Sequence, residues 1–254
     1  MINKVFELIK QRQFDHALSF LLENERKSTS SWHQRYLIGF CFRQRGDIPE
    51  SIIYYKKSLD ISPEQPLTLN ALGISYQKLK LFKEAELRFQ KSIQILKNAE
   101  TTSVTYRFRL LLLLSDALNS LGISQQLQSE YEGSCKHLAT RSLDSHLEAV
   151  SVIEHAITLK VNCELLRQNR SDLGFTILKN KLEFKYRYDL TEASLFLLNT
   201  ATQFLNLKKF KEAEQILRKA LFHIDEEHTC WVFANNLKIE MLNSETTASS
   251  IRNL

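Results

Sequence analysis

Residues 80–86 read KLFKEAE and residues 208–214 read KKFKEAE, nearly the same phrase 128 residues apart in a chain of 254. In both copies a short apolar and basic run follows. The phrase has the form of a helix start: a polar turn, a large apolar residue, then a small alanine one turn further on. Working outward from the first copy, Phe14, Ile48 and Phe82 stand 34 residues apart, as do Ala17, Ser51 and Ala85, and Leu21, Tyr55 and Phe89. The preceding segments keep the same period, Ile38-Gly39-x-x-Phe42 becoming Leu72-Gly73-x-x-Tyr76. Agreement in several registers at one spacing is an internal repeat and predicts a stack of like units.

Each unit carries two amphipathic helices. Leu69, Leu72, Gly73 and Tyr76 recur at i, i+3, i+4 and i+7, one face of a helix. Phe82, Ala85, Phe89 and Ser92 form a second stripe, with small residues where two backbones approach, so that large side chains meet small ones across the pair. The joints are marked locally. Asp47 and Glu50 have the spacing of a capping box around Pro49, Ser62-Pro63 closes one unit, and Pro66 opens the next.

Over these residues the chain resembles the tetratricopeptide repeat, whose pattern is a large residue, then L-G-x-x-Y, A-x-x-x-F and a closing proline over 34 positions. The unit from 66 matches with Leu69, Leu72-Gly73, Tyr76, Ala85 and Phe89, and the unit from 32 with Ile38-Gly39, Phe42, Ser51, Tyr55 and Pro63. An earlier unit keeps Phe14, Ala17 and Leu21, and the KKFKEAE unit keeps Leu197, Ala201, Phe204, Phe210, Ala213, Leu217 and Ala220. The resemblance implies an all-α fold, a right-handed superhelical α-solenoid of tandem helix-turn-helix hairpins.

Four segments are expected: a regular array over 1–100, an irregular array with longer helices over 101–227, a capping helix over 228–242 and a polar tail over 243–254. In the irregular part, setting Gly122 at a turn brings Leu114, Leu118, Leu127, Tyr131 and Ser134 to repeat positions, and Val161, Leu165, Gly174 and Leu178 suggest a further unit. The cap is expected from Trp231, Phe233, Leu237 and Met241. No dedicated cap precedes INKVFELI, so the first unit is a candidate for self-association.

Composition excludes other classes. Six Gly and three Pro among 254 residues are too few for a many-stranded barrel or sandwich. The longest apolar run, Leu110 to Leu114, is far short of a membrane span, and the N-terminal stretch lacks the order of a signal peptide, which gives an expectation of a cytoplasmic protein. Cys41, Cys135, Cys163 and Cys230 form no C-x-x-C pair, and reduced thiols are expected. No phosphate loop, dinucleotide fingerprint, H-E-x-x-H or G-x-S-x-G occurs, so no enzyme activity and no cofactor is expected. His223, Asp225, Glu226, Glu227, His228 and Cys230 offer metal-ligand types, but at a helix end, where a solvated connection accounts for them and no metal is expected.

Charge is concentrated early. Through residue 100 there are 16 Lys and Arg against 11 Asp and Glu. Many of these bases, among them Lys56, Lys57, Lys83 and Lys91, fall on second helices beside Glu84 and Glu86, as on a solvated outer face, and nucleic-acid binding is set aside on that ground.

The resemblance also implies where a partner sits, since the family's first helices line a concave groove. By position, the groove candidates are Phe6, Ile9, His33, Tyr36, Phe40, Arg43, Leu67, Asn70, Ile74 and Gln77, then Arg109, Leu112, Asp116 and Asn119. The N-terminal part of this set is apolar and aromatic, which points to a peptide or helix of another protein, with Tyr36 and Phe40 taking its side chains and Arg43, Asn70 and Gln77 its backbone. The family's carboxylate clamp, built from Lys and Asn, is absent: its places hold Tyr36, Phe40, Leu67 and Ala71. The function expected is a non-catalytic adaptor or scaffold. The alternative is a sensory module that encloses a small peptide or signal.

Overall fold

The computed structural model describes residues 2–27, 31–133, 136–167, 191–221 and 234–239. Its helices are α1 (Ile2–Lys10), α2 (Phe14–Lys27), α3 (Trp32–Arg45), α4 (Ile48–Ile61), α5 (Pro66–Lys78), α6 (Phe82–Lys97), α7 (Val104–Tyr131), α8 (Lys136–Arg167), α9 (Thr191–Asn206) and α10 (Phe210–Leu221). Residues 234–239 are also helical, and no strand occurs among the described residues. The chain is an all-α solenoid of helical hairpins and divides into two compact units, Met1–Asn98 and Ala99–Leu254.

In the first unit α1 packs on α2, α3 on α4 and α5 on α6, while α2 meets α3 and α4 meets α5, so hairpins lean on each other in chain order. The turn inside each hairpin is built the same way. Arg12, Gly46 and Lys80, spaced by 34, have φ of 57°, 93° and 59°, and Lys208 between α9 and α10 has 57°. The N–H of each donates to a carbonyl three residues back, Ile9, Arg43, Gln77 and Leu205 in turn, at 2.9–3.1 Å. The next residue's N–H reaches five back, to Leu8, Phe42, Tyr76 and Phe204, at 2.8–3.0 Å. This is the Schellman closure of a helix, and it explains the repeated phrase: its first residue takes the left-handed conformation, its second closes the bond, and its third begins the next helix. Gly46 is the one glycine among these four turn residues, and nothing lies within 4 Å of the place its Cβ would take. Gly46→Ala is therefore expected to cost only backbone strain, about 1 kcal/mol, read as a lower urea midpoint at unchanged slope.

The hairpins close through one pair of positions. A Cβ on Gly39 would meet the Tyr55 ring at 2.8 Å, and one on Gly73 the Phe89 ring at 2.6 Å. Tyr55 and Phe89 are fully buried. At the equivalent places the α1–α2 hairpin has Val5 and Leu21, and the α9–α10 hairpin has Ala201 and Leu217, all buried. As the first residue grows, the second shrinks, which keeps the space between the helices filled. Ala85 and Ala213 of the repeated phrase are 0% and 1% exposed.

The caps depart from expectation once. Asp47 stands at the N-cap of α4 without a side-chain cap bond, and its carboxylate instead lies 3.3 Å from Arg45 Nε. Ion pairing draws the side chain away from the helix end. Pro66 occupies the first turn of α5, as the sequence predicts.

In the second unit α7 and α8 form a long antiparallel pair, α9 packs on both, and α10 packs on α9. Gly122 does not mark a turn: it lies inside α7, and Leu127 and Tyr131 belong to the same helix. A Cβ on Gly122 would meet the His146 ring at 2.7 Å. This is the same glycine-to-ring contact, with 24 residues between Gly122 and His146 where Gly39–Tyr55 and Gly73–Phe89 have 16. The added residues lengthen both helices and the turn. Val161 and Leu165 lie in α8, while Ser134, Gly174 and Leu178 fall outside the described residues. Of the expected cap, Ala234 and Leu237 are buried in the α9–α10 core; Trp231, Phe233, Met241 and the His223–Cys230 segment lie outside the described residues.

Candidate functional site

Helix α3 carries the site. Ser31 caps it by accepting from the Gln34 N–H at 3.2 Å, and Gly46 closes its other end. Positions 33, 36, 40 and 43 follow the 3-4-3 spacing of one helical face. Leu37, Ile38 and Cys41 take the buried side, where burial pushes the Cys41 thiol up to about 11. These two stripes leave the face with His33, Tyr36, Phe40 and Arg43 half-buried.

On that face the rings touch in sequence. Trp32 and His33 lie 5.3 Å apart between centroids, His33 and Tyr36 stack at 6.4 Å, and Tyr36 and Phe40 follow at 6.5 Å. From α1, Phe6 joins His33 at 6.2 Å, and from the start of α2, Phe14 meets the edge of Phe40 at 6.3 Å. The Arg43 guanidinium covers Phe40 at 5.5 Å. The ladder is thus continuous from Phe6 to Arg43, and Phe6 at its outer end is 39% exposed. Burial lowers the His33 pKa, so the ladder carries a neutral imidazole at neutral pH. Tyr36 also packs on Tyr55 at 5.8 Å, which roots the ladder in the hairpin core. The phenol of Tyr55 is pushed up by burial; Arg43 draws it weakly the other way, although no hydrogen bond of ordinary geometry joins the two.

Helix α5 repeats the positions with other chemistry. Asn70, Ile74 and Gln77 stand where α3 has Tyr36, Phe40 and Arg43, 34 residues earlier. Leu67 is exposed, and Ile74 and Gln77 are half-buried. Asn70 is 2% exposed, so it lies beneath the surface, and both of its amide atoms lack a hydrogen-bond partner. Gln77 Nε2 and Arg43 Nε are likewise buried and unpartnered. A buried polar group left without a partner costs about 1–3 kcal/mol.

The remaining candidates lie on α7, in the second unit. Arg109 is exposed and Asp116, two turns further on, is half-buried. Asn119 is buried: its Oδ1 accepts from Asn199 Nδ2 at 2.9 Å and lies 3.1 Å from His146 Nδ1. Sequence reasoning missed this interior polar stripe, in which Ser142 donates to the Gly122 carbonyl at 2.8 Å and Ser145 donates to Gln125 Oε1 at 3.0 Å. The signal for it was Gly122, whose partner ring lies two turns later than the repeat predicts. Among the described residues no three His, Cys, Asp or Glu side chains converge as metal ligands, and no helix is long and apolar enough to cross a membrane.

The family model for the tetratricopeptide repeat matches residues 30–98, the stretch that contains α3 to α6 and both glycine-to-ring pairs. Residues 30–98 are thus tetratricopeptide repeats. No curated protein matches it. Among solved structures it is similar to a tetratricopeptide repeat protein of Parabacteroides merdae, at 15% identity over 98% of this chain and 91% of that one, with a TM-score of 0.46. It is also similar to the assembly chaperone of RpL4 (Acl4), at 11% identity over 98% of each chain and a TM-score of 0.48. A third is the yeast Tom70, at 11% identity over 96% of this chain and 75% of that one, with a TM-score of 0.33. Repeats of this family serve in general as protein-interaction scaffolds, and this chain has that architecture.

Proposed function

We propose that the protein is a non-catalytic adaptor whose first unit holds a peptide or helix of a partner protein against α1, α3 and α5. The observation that carries this reading is the unbroken ladder of Phe6, His33, Tyr36 and Phe40 beneath Arg43. Aromatic and arginine side chains in such a cluster supply large contact area at small entropic cost, the usual makeup of an interface centre. Asn70 lies beneath the surface and is not part of the contact; the half-buried side chains of Gln77 and Arg43 at the edge of the ladder are suited to the partner's backbone.

The test is affinity capture with the whole chain, its Tyr36→Ala/Phe40→Ala variant and a Phe6→Asp variant. Phe6 is exposed, so its replacement leaves the hairpin core in place. Both variants are expected to lose a protein partner by more than about tenfold; melting stays near wild type for Phe6→Asp and falls for the double variant, whose two rings pack against the hairpin core. Retention of every partner by both variants would contradict the proposal, as would salt-sensitive recovery of RNA in place of protein.

A further inference from the structure

A cavity of about 400 Å³ opens in the second unit among α7, α8 and the turn after α9. Its lining includes Gln126 and Glu130 of α7, Gln203 and Asn206 of α9, and Lys208 of the turn. Gln203 is 0% exposed, and its Oε1 and Nε2 are both buried without a hydrogen-bond partner. A carboxamide can accept through its oxygen and donate twice through its nitrogen, so leaving all of this unused in a helix interface is costly. Gln203 belongs to the cavity wall, so a turn of its carboxamide brings it within reach of a bound molecule.

We propose that this cavity is a binding site for a small zwitterion of the amino-acid or short-peptide class. The site lies wholly within the second unit and is independent of the ladder on α3. Charge selects the ligand class. Glu130, oriented by accepting from Gln126 Nε2 at 2.9 Å, repels a simple anion, and Lys208 repels a simple cation. An apolar ligand leaves Gln203 unsatisfied. A molecule with an ammonium group, a carboxylate and an amide or carboxyl oxygen between them meets all three demands: ammonium toward Glu130, carboxylate toward Lys208, and the remaining polar atoms toward Gln203 and Asn206. Binding requires Gln203 to turn its carboxamide to the cavity, which exchanges an unsatisfied state for a satisfied one. The volume lies within the range of small-molecule sites, about 300–1,000 Å³.

The experiment is isothermal titration calorimetry on the whole chain with three probes: trialanine with free termini, trialanine acetylated and amidated at its ends, and a mixture of the common free amino acids. Free trialanine or the amino-acid mixture is expected to bind, the first assigning a peptide and the second an amino acid, and blocking the termini is expected to weaken binding by at least about tenfold. Gln203→Leu is expected to abolish binding without lowering the melting temperature, because the apolar replacement removes an unsatisfied buried amide. A purely structural Gln203 predicts the opposite, a lower melting temperature. Lys208→Asn is the second variant, since asparagine tolerates the φ of 57° at that turn, and it is expected to lose the preference for a free carboxylate. No heat from any probe at about 10 mM, equal binding of blocked and free trialanine, or unaltered binding by both variants would overturn the proposal.

Discussion

Phe89→Ala is expected to cost the first unit about 3–5 kcal/mol, the range for removing a fully buried aromatic ring. The ring fills the place a side chain at residue 73 would take: a Cβ added to Gly73 would lie 2.6 Å from it. That geometry predicts more than a cavity. Gly73→Ala alone is expected to destabilise by about 1–3 kcal/mol through overpacking, because the obstacle is a ring held on all sides and not a movable chain end. In the Phe89→Ala background the added methyl has room, so the second substitution is expected to cost little or even to stabilise. Urea unfolding of the two single variants and the double variant gives the coupling energy directly. Additive losses would show that glycine and ring do not share one space.

The second large effect is a pH dependence of the second unit. His146 is fully buried against Gly122, and burial lowers its pKa to about 4. Asn119 Oδ1 already accepts from Asn199, so the neutral ring carries its proton on Nδ1, 3.1 Å away, and Nε2 is left buried without a partner. A second proton would have to enter at Nε2 with nothing to stabilise it. The unfolded chain, with its histidine near 6.5, therefore binds more protons than the folded one between pH 6.5 and 4. The stabilising term is fully present above pH 6.5 and declines as pH falls through that window, by about 3 kcal/mol at the acid end. His33 on α3 also titrates low, so the decisive comparison is with His146→Phe, which restores the glycine-to-ring pair of the other hairpins without a titrating group. The variant is expected to lose much of the acid slope in urea melts between pH 7 and 4. An unchanged slope would remove His146 from the account.

The first unit was legible because its pattern is carried by residue size at fixed spacing. Phe14, Ile48 and Phe82 begin second helices, and the Gly39–Tyr55 and Gly73–Phe89 pairs follow from the same count. The left-handed turn at Arg12, Gly46 and Lys80 has the same period, but a conformation shared by arginine, glycine and lysine leaves no residue-type signature. The second unit was hard to read for a different reason. Extra residues spread over α7, its turn and α8 break the register, and a lone glycine in a long helix looks like a stop when it is in fact a place of close approach. The aromatic part of the candidate site could be placed by repeat position alone. The depth of Asn70 could not, because it depends on what the neighbouring hairpins lay over it, and position in the repeat says nothing of those volumes.

The proposed binding role of the α3 ladder is tested most directly by site-specific photo-crosslinking in cells, with a benzophenone amino acid placed at Phe6 of the ladder or, as a control, at Leu87 of α6. Both side chains are exposed, Phe6 at 39% and Leu87 at 57%, so accessibility favours the control. The account predicts a discrete protein adduct from position 6, lost when Tyr36 and Phe40 are both alanine, and none from position 87. Adducts of equal yield from the two positions, or an adduct at position 6 that survives loss of the ladder, would contradict it.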